Sequence, residues 1–157
     1  MPAVDFSILN LPKFLASLHA AGEATPAILR AAMGEATLVL EAEARTLAGP
    51  SRDSGRLQGS ISSTISGSGN TLTGQVGPSA RYGLWVETGT RPHWPPRAPL
   101  EGWAHRHGIP VFLVQRAIAR HGTRAQPFIG PALERTRGRI TGIFAKVGAT
   151  VFSKVQS

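Results

Sequence analysis

Cysteine is absent from this 157-residue sequence, so disulfide cross-links, thiol catalysis and cysteine-based zinc sites are all excluded. Aromatic residues are few, with six Phe, three Trp and one Tyr. No apolar run approaches the roughly 18 residues that a membrane span needs. Residues 1–18 lack the basic start and the apolar centre of a secretory signal. These absences predict a soluble protein that has no membrane segment and no disulfide framework, and the length of 157 residues predicts a single domain.

Acidic residues are also scarce, because nine Asp and Glu accompany 17 Lys and Arg, of which 14 are arginine. Residues 1–50 carry a net charge of −2, whereas residues 51–157 carry +10. Such an asymmetry is typical of proteins that contact polyanions or acidic protein surfaces. A basic surface that serves only solubility accounts for such a charge balance about as often as nucleic-acid binding does. Charge alone therefore does not decide the function.

Apolar residues recur with helical spacing at both ends of the chain. A short helix is predicted over residues 7–21, and a long helix from Pro26 to Ala48 with Thr25 as its N-cap. A second long amphipathic helix is predicted over about Pro131 to Phe152. Glu43 lies on the apolar face of the first long helix, so either it has a partner or that face meets another subunit.

Strand-like sequence lies between these helices. Leu57–Ser66 and Thr71–Gly77 are predicted to pair through a turn at Gly67-Ser68-Gly69-Asn70. Tyr82 to Glu87 is predicted to form a third strand, and Leu100–His107 and Val111–His121 two short helices.

The predicted fold class is α+β: an antiparallel sheet packed by a long N-terminal and a long C-terminal helix, with a short helical insertion. We divide the single domain 1–157 into an N-terminal arm (1–25), a helix-and-sheet region (26–93), the insertion (94–126) and the C-terminal helix (127–157).

The sequence gives little support for any catalytic residue. Four of the five histidines fall within residues 93–121, but their spacing matches no metal-ligand pattern. Glu87 and Glu101 are the candidates for an acid–base pair. A structural role as charge partners of the many arginines explains these two carboxylates better. No phosphate-binding loop or nucleophile elbow occurs. The sequence therefore predicts no enzyme, no metal and no cofactor.

Trp85 and Trp103 flank a proline-rich stretch at residues 92–99, and Trp94 lies within it. Trp85 and Trp103 are predicted to anchor this irregular segment to the core. Trp94, between His93 and Pro95, is predicted to be exposed to a partner, because Trp and Arg are enriched at interface centres.

Three stretches resemble one family in order and spacing: Asp53–Ile61 (DSGRLQGSI), Ala80–Arg91 (ARYGLWVETGTR) and Pro127–Glu134 (PFIGPALE). They resemble the tail-component, or neck and tail-completion, proteins of long-tailed bacteriophages, which assemble at the head–tail junction. The resemblance covers roughly residues 26–152. Compared with the shortest members, this chain has about thirty additional residues between Trp94 and Arg124.

The resemblance implies a non-enzymatic virion protein that is present in the host cytoplasm during assembly. It implies a ring, six-fold or twelve-fold, between a head-completion or adaptor protein and a tail-terminator or tail-tube protein, with phage DNA in transient contact with the lumen. The alternative is a small basic domain that binds nucleic acid without sequence specificity. The candidate interface and turn residues are Trp85, Glu87, Gly89, Thr90, Arg91, Trp94, Pro127 and Phe128.

Gly89 is expected to adopt a positive φ that redirects the chain, and Phe128 to act as an apolar plug at the start of the last helix. On that helix, Arg135, Arg139 and Lys146 fall within about 40° of one another at 100° per residue. We expect this basic stripe to lie opposite the apolar face and to contact either the lumen DNA or an acidic neighbour; a merely solvated face is the alternative.

Overall fold

The computed structural model describes residues 4–5, 25–49, 55–68 and 71–155, and the α+β class is confirmed. The predicted helix at residues 7–21 lies outside the described residues. In chain order the elements are β1 (Val4–Asp5), α1 (Thr25–Ala48), α2 (Arg56–Ser60), β2 (Ile61–Ser68), β3 (Thr71–Pro78), α3 (Gly83–Thr88), α4 (Ala98–Arg106), α5 (Val111–His121) and α6 (Ile129–Val155).

The strands form an antiparallel sheet in the order β1-β3-β2. β2 and β3 form the predicted hairpin, with Ser68 opposite Thr71 and Ile61 opposite Pro78. The first strand begins later than predicted, because residues 57–60 belong to α2. Ile61 is fully buried while Ser62 and Thr64 are exposed, so β2 has one apolar face and one solvent-exposed face.

Helix α1 packs on the sheet and along α6. Alanine recurs along its buried side at Ala32, Ala36, Ala44 and Ala48, and small side chains allow neighbouring elements to approach closely. Gly74 of β3 has the same effect from the sheet, because a Cβ there would lie 2.6 Å from Thr37 Cγ2 of α1. The core is the sandwich of sheet, α1 and α6, centred on Leu40, Ile61, Val76, Phe128 and Ile140.

The prediction of a third strand at Tyr82–Glu87 is wrong, because this segment is the short helix α3. Val86 N donates to Tyr82 O at 3.1 Å, and the Thr88 hydroxyl donates to Leu84 O at 2.9 Å. β-prone side chains such as Trp and Val have a context-dependent preference, and a helix of six residues is too short to show its period. The packing of Gly83 decides: it is buried, and a Cβ there would overlap Pro78 and lie 3.3 Å from Leu57 Cδ1.

Candidate functional site

The carboxylate of Glu87, at the end of α3, caps the N-terminus of α6. Oε2 accepts hydrogen bonds from Phe128 N at 2.7 Å and Ile129 N at 3.0 Å, and Oε1 accepts one from Gly130 N at 3.0 Å. The first N–H groups of a helix have no partner within the helix, and they carry the positive end of its dipole. A carboxylate satisfies both at once with charge-assisted hydrogen bonds. Glu87 therefore joins two regions that lie 41 to 43 residues apart.

Backbone pairing strengthens this junction on either side of the cap. Gln126 N donates to Val86 O at 2.8 Å. Thr90 and Thr123 form an antiparallel bridge in which each backbone N–H donates to the other carbonyl at 3.1 Å, and their hydroxyls lie 3.0 Å apart. The chain thus leaves the junction at Thr90, forms the insertion and returns at Thr123.

Gly89 makes this close pairing feasible. Its φ is +69°, so the predicted positive φ is confirmed. A Cβ at Gly89 would lie 2.5 Å from Thr123 O and 2.8 Å from Ala125 N, closer than real Cβ contacts. Gly89 therefore meets two independent requirements, a left-handed conformation and a close approach of two backbone segments.

The three sequence motifs meet at this junction. Leu57 from the first motif is 5% exposed and packs beside Gly83 of the second, and Ser79 N donates to Ser60 O at 2.9 Å. The second motif reaches the third through Glu87. Phe128 is 1% exposed, so its predicted role as an apolar plug is confirmed, whereas the adjoining Pro127 is exposed.

The other side of α3 presents apolar side chains to solvent. Trp85 is 56% exposed, so the prediction that it anchors the core is wrong; Leu84 and Tyr82 are each 40% exposed. We call these three residues the α3 surface. On its opposite side, α3 is bonded to the start of α6 through the Glu87 cap and to Gln126 through the Val86 carbonyl. The α3 surface therefore lies on a fixed support.

The other two tryptophans lie in the insertion. Trp94 is 58% exposed, as predicted, and its ring lies 6.1 Å from that of Phe112 on α5. Trp103 is 36% exposed and stacks on His107 at 4.1 Å, so it packs within the insertion and is not the deeply buried anchor that was predicted.

The basic stripe on α6 differs from its prediction in two ways. The buried residues Thr136 and Ile140 directly follow Arg135 and Arg139, so each lies about 100° around the helix from the preceding arginine. The stripe therefore flanks the buried face and does not lie opposite it. From this flank Arg135 Nη1 reaches Glu43 Oε1 of α1 at 3.1 Å. Glu43 therefore has a partner in its own chain, and the alternative that it marks a subunit contact is not needed. Arg139 and Lys146 are exposed.

The two candidate acid–base carboxylates have separate partners. Glu87 accepts from backbone N–H groups, and Glu101 pairs with Arg97 at 3.0 Å within α4. Among the described residues, no group of three His, Asp or Glu side chains could hold a metal ion. Within the same residues, no helix is long and apolar enough to span a membrane.

Residues 12–89 match the family model described as "Bacteriophage HK97-gp10, putative tail-component". This segment, just under half of the chain, has the sequence of that family. The match supports a bacteriophage tail component of the structural class. No curated protein and no solved structure matches the chain significantly.

The HK97-gp10-like match covers α1, α2, the β2–β3 hairpin and α3, and it ends at Gly89. The insertion and α6 follow the matched range. The third motif, which begins α6, therefore lies outside the match, yet Glu87 inside the match caps that helix.

Sequence reasoning missed the exposed face of α5. Phe112, Arg116 and Arg120 recur every four residues and are all exposed. This four-residue spacing is the signal in the sequence from which the face could have been predicted.

Proposed function

We propose that this tail component is a non-enzymatic subunit of the phage head–tail junction, where it forms a ring that joins the tail to the portal-capped head. The family match supports a structural role in the tail. The ring, its six-fold or twelve-fold order and the adaptor and tail-terminator or tail-tube neighbours are inferences from the resemblance to neck and tail-completion proteins.

The observation that carries the proposal is the α3 surface. Large apolar side chains exposed on a rigid support are what a protein interface needs, and Trp and Tyr dominate the binding energy of interface centres. Trp85 is 56% exposed within the family-matched segment, on a helix that Glu87 fixes to α6. The α3 surface is therefore suited to a neighbouring subunit or a tail protein.

A ring also needs a second, different surface, because rotation-related contacts are heterologous. Leu38 on the outer side of α1 is 60% exposed and is separate from the α3 surface along the chain. We assign Leu38 to the second contact of the ring, opposite the α3 surface. Two distinct apolar sites on one subunit suit closure by rotation.

The test is Trp85→Ala in the phage, with Trp103→Ala as the matched control. We expect Trp85→Ala protein to fold and to leave separated heads and tails, because truncating an interface Trp typically weakens binding by about 2 kcal/mol or more. Trp103→Ala should still give complete particles. A normal infectious yield from Trp85→Ala phage, or a neck reconstruction that places this chain outside the junction, would contradict the proposal.

A further inference from the structure

The insertion and the three residues before it carry most of the uncompensated charge of the protein. Residues 91–126 contain six arginines and one acid, a net charge of +5. All six arginines are exposed. The only acid, Glu101, pairs with Arg97. This segment follows the family-matched range, so its charge is a feature of this chain and not of the matched segment.

Four of the seven arginines that the structure describes outside this segment are bonded internally. Arg45 donates to Ile61 O at 2.7 Å and pairs with Glu41 at 2.8 Å. Arg30 donates to Gly67 O at 3.0 Å. On α6, Arg135 pairs with Glu43 and Arg137 with Glu134. By contrast, four arginines of residues 91–126 make no ion pair with any residue that the structure describes: Arg91, Arg116, Arg120 and Arg124.

Two of these arginines lie on the same side of α5 as an exposed aromatic ring. On α5, Phe112, Arg116 and Arg120 are four residues apart, so their side chains follow one side of the helix. The ring of Trp94 lies 6.1 Å from that of Phe112. Arg91 and Arg124 directly follow the two bridged residues Thr90 and Thr123, at the base of the insertion. We call Arg91, Trp94, Phe112, Arg116, Arg120 and Arg124 the insertion surface.

The insertion surface is also held in place. Gln115 on the buried side of α5 is 8% exposed and donates from Nε2 to Pro95 O at 3.0 Å. This bond fixes the backbone beside Trp94 against α5. The Thr90–Thr123 bridge fixes the two ends of the segment.

We propose that the insertion surface binds the phosphodiester backbone of nucleic acid. Guanidinium groups match phosphate geometry with paired donors, and an exposed aromatic ring beside them can stack on a base. The α6 stripe is the weaker candidate, because Arg135 is already paired with Glu43. The inference deepens the proposed function by moving the DNA contact from α6 to the insertion. It rests on the proposed function only because a head–tail junction must pass DNA.

The test measures the affinity of the purified full chain for a short random-sequence duplex and for its single strand over a series of salt concentrations. If each of the four arginines contacts a phosphate, the slope of log K against log salt is about −3.6 for duplex and about −2.8 for single strand. Binding that is absent at low salt, or that does not change with salt, would overturn the proposal.

The decisive variants are Arg116→Gln with Arg120→Gln, against Arg139→Gln with Lys146→Gln on α6. The insertion pair should reduce the duplex slope by about 1.8, because two phosphate contacts are lost. The α6 pair removes the same charge and should leave the slope unchanged. An equal loss in both pairs overturns the assignment to the insertion. Circular dichroism with a melting curve checks that both variants fold.

Trp94→Ala separates the two forms of nucleic acid. Loss of base stacking should weaken single-strand binding by about five- to 150-fold and leave duplex binding unchanged. Equal affinity of parent and variant for both forms supports contact with the backbone alone.

Two further outcomes separate this inference from the proposed function. Trp85→Ala protein should bind DNA like the parent, and if it does while joining heads and tails normally, only the proposed function fails. A parent protein that binds neither nucleic acid, combined with failed joining in the Arg116/Arg120 variant, would overturn the inference in favour of an acidic protein partner.

Discussion

The body of the fold, made of the sheet, α1, α3 and α6, and the insertion treat their polar and apolar groups in opposite ways. In the body, Glu87 satisfies three backbone N–H groups and Arg135 pairs with Glu43. The large apolar side chains of the core lie between the sheet, α1 and α6. In the insertion, buried residues are few and small or polar, such as Ala104 and Gln115, while Phe112 and Trp94 are each 58% exposed.

The difference indicates how stability and contact are divided. Hydrophobic stabilisation scales with apolar area removed from water, so most of it must come from the sheet, α1 and α6. The insertion removes little apolar area from water, and its exposed rings and arginines remain available to other molecules. Substitutions of the same chemical type should therefore have unequal effects in the two regions.

The largest difference in stability between the two regions is expected from a pair of phenylalanine truncations. Phe128→Ala should destabilise the fold by about 3–5 kcal/mol, since it opens a cavity at a side chain that is 1% exposed. Phe112→Ala, at 58% exposure, should change the free energy of unfolding by less than about 0.5 kcal/mol. Urea unfolding of both variants measures the difference. Similar losses of stability would show that the insertion contributes to the core.

The α+β class, the two long helices and the hairpin could be predicted from the sequence, because each has many residues of clear period. The six-residue α3 could not, since its conformation depends on the contact of Gly83 with Pro78 and Leu57. The residues of the site were found by resemblance, but the bonds of Glu87 to residues 128–130 join distant segments and leave no local pattern. The Arg135–Glu43 pair was missed for the same reason.

A pair of glutamate substitutions sharpens the comparison between half-buried and exposed polar contacts. Glu87→Ala should destabilise the fold by about 2–3 kcal/mol, because it removes charge-assisted bonds to three N–H groups at the start of α6. Glu101→Ala removes an ion pair with Arg97 whose side chains are 56% and 72% exposed, and should cost less than about 1 kcal/mol. Thermal melts of both variants, at one pH and ionic strength, provide the measurement. If Glu101→Ala lowers Tm as far as Glu87→Ala does, the cap of α6 has no special weight.

The smallest difference is expected between two glycines that share a backbone conformation. Gly89 at the junction has φ +69° and Gly108 in the insertion has φ +64°, so alanine meets a left-handed penalty of about 1–2 kcal/mol at both. At Gly108 a Cβ has nothing within 4 Å, whereas at Gly89 it would lie 2.5 Å from Thr123 O. A backbone carbonyl in the Thr90–Thr123 bridge moves only if the bridge itself opens, so Gly89→Ala should cost about 1–2 kcal/mol more than Gly108→Ala. Because the bridge ties down both ends of the insertion, Gly89→Ala should also raise amide exchange at Thr90 and Thr123, and Gly108→Ala should not. Equal unfolding free energies with unchanged exchange at the bridge would mean that positive φ alone requires Gly89, and that the close approach of the two segments adds nothing.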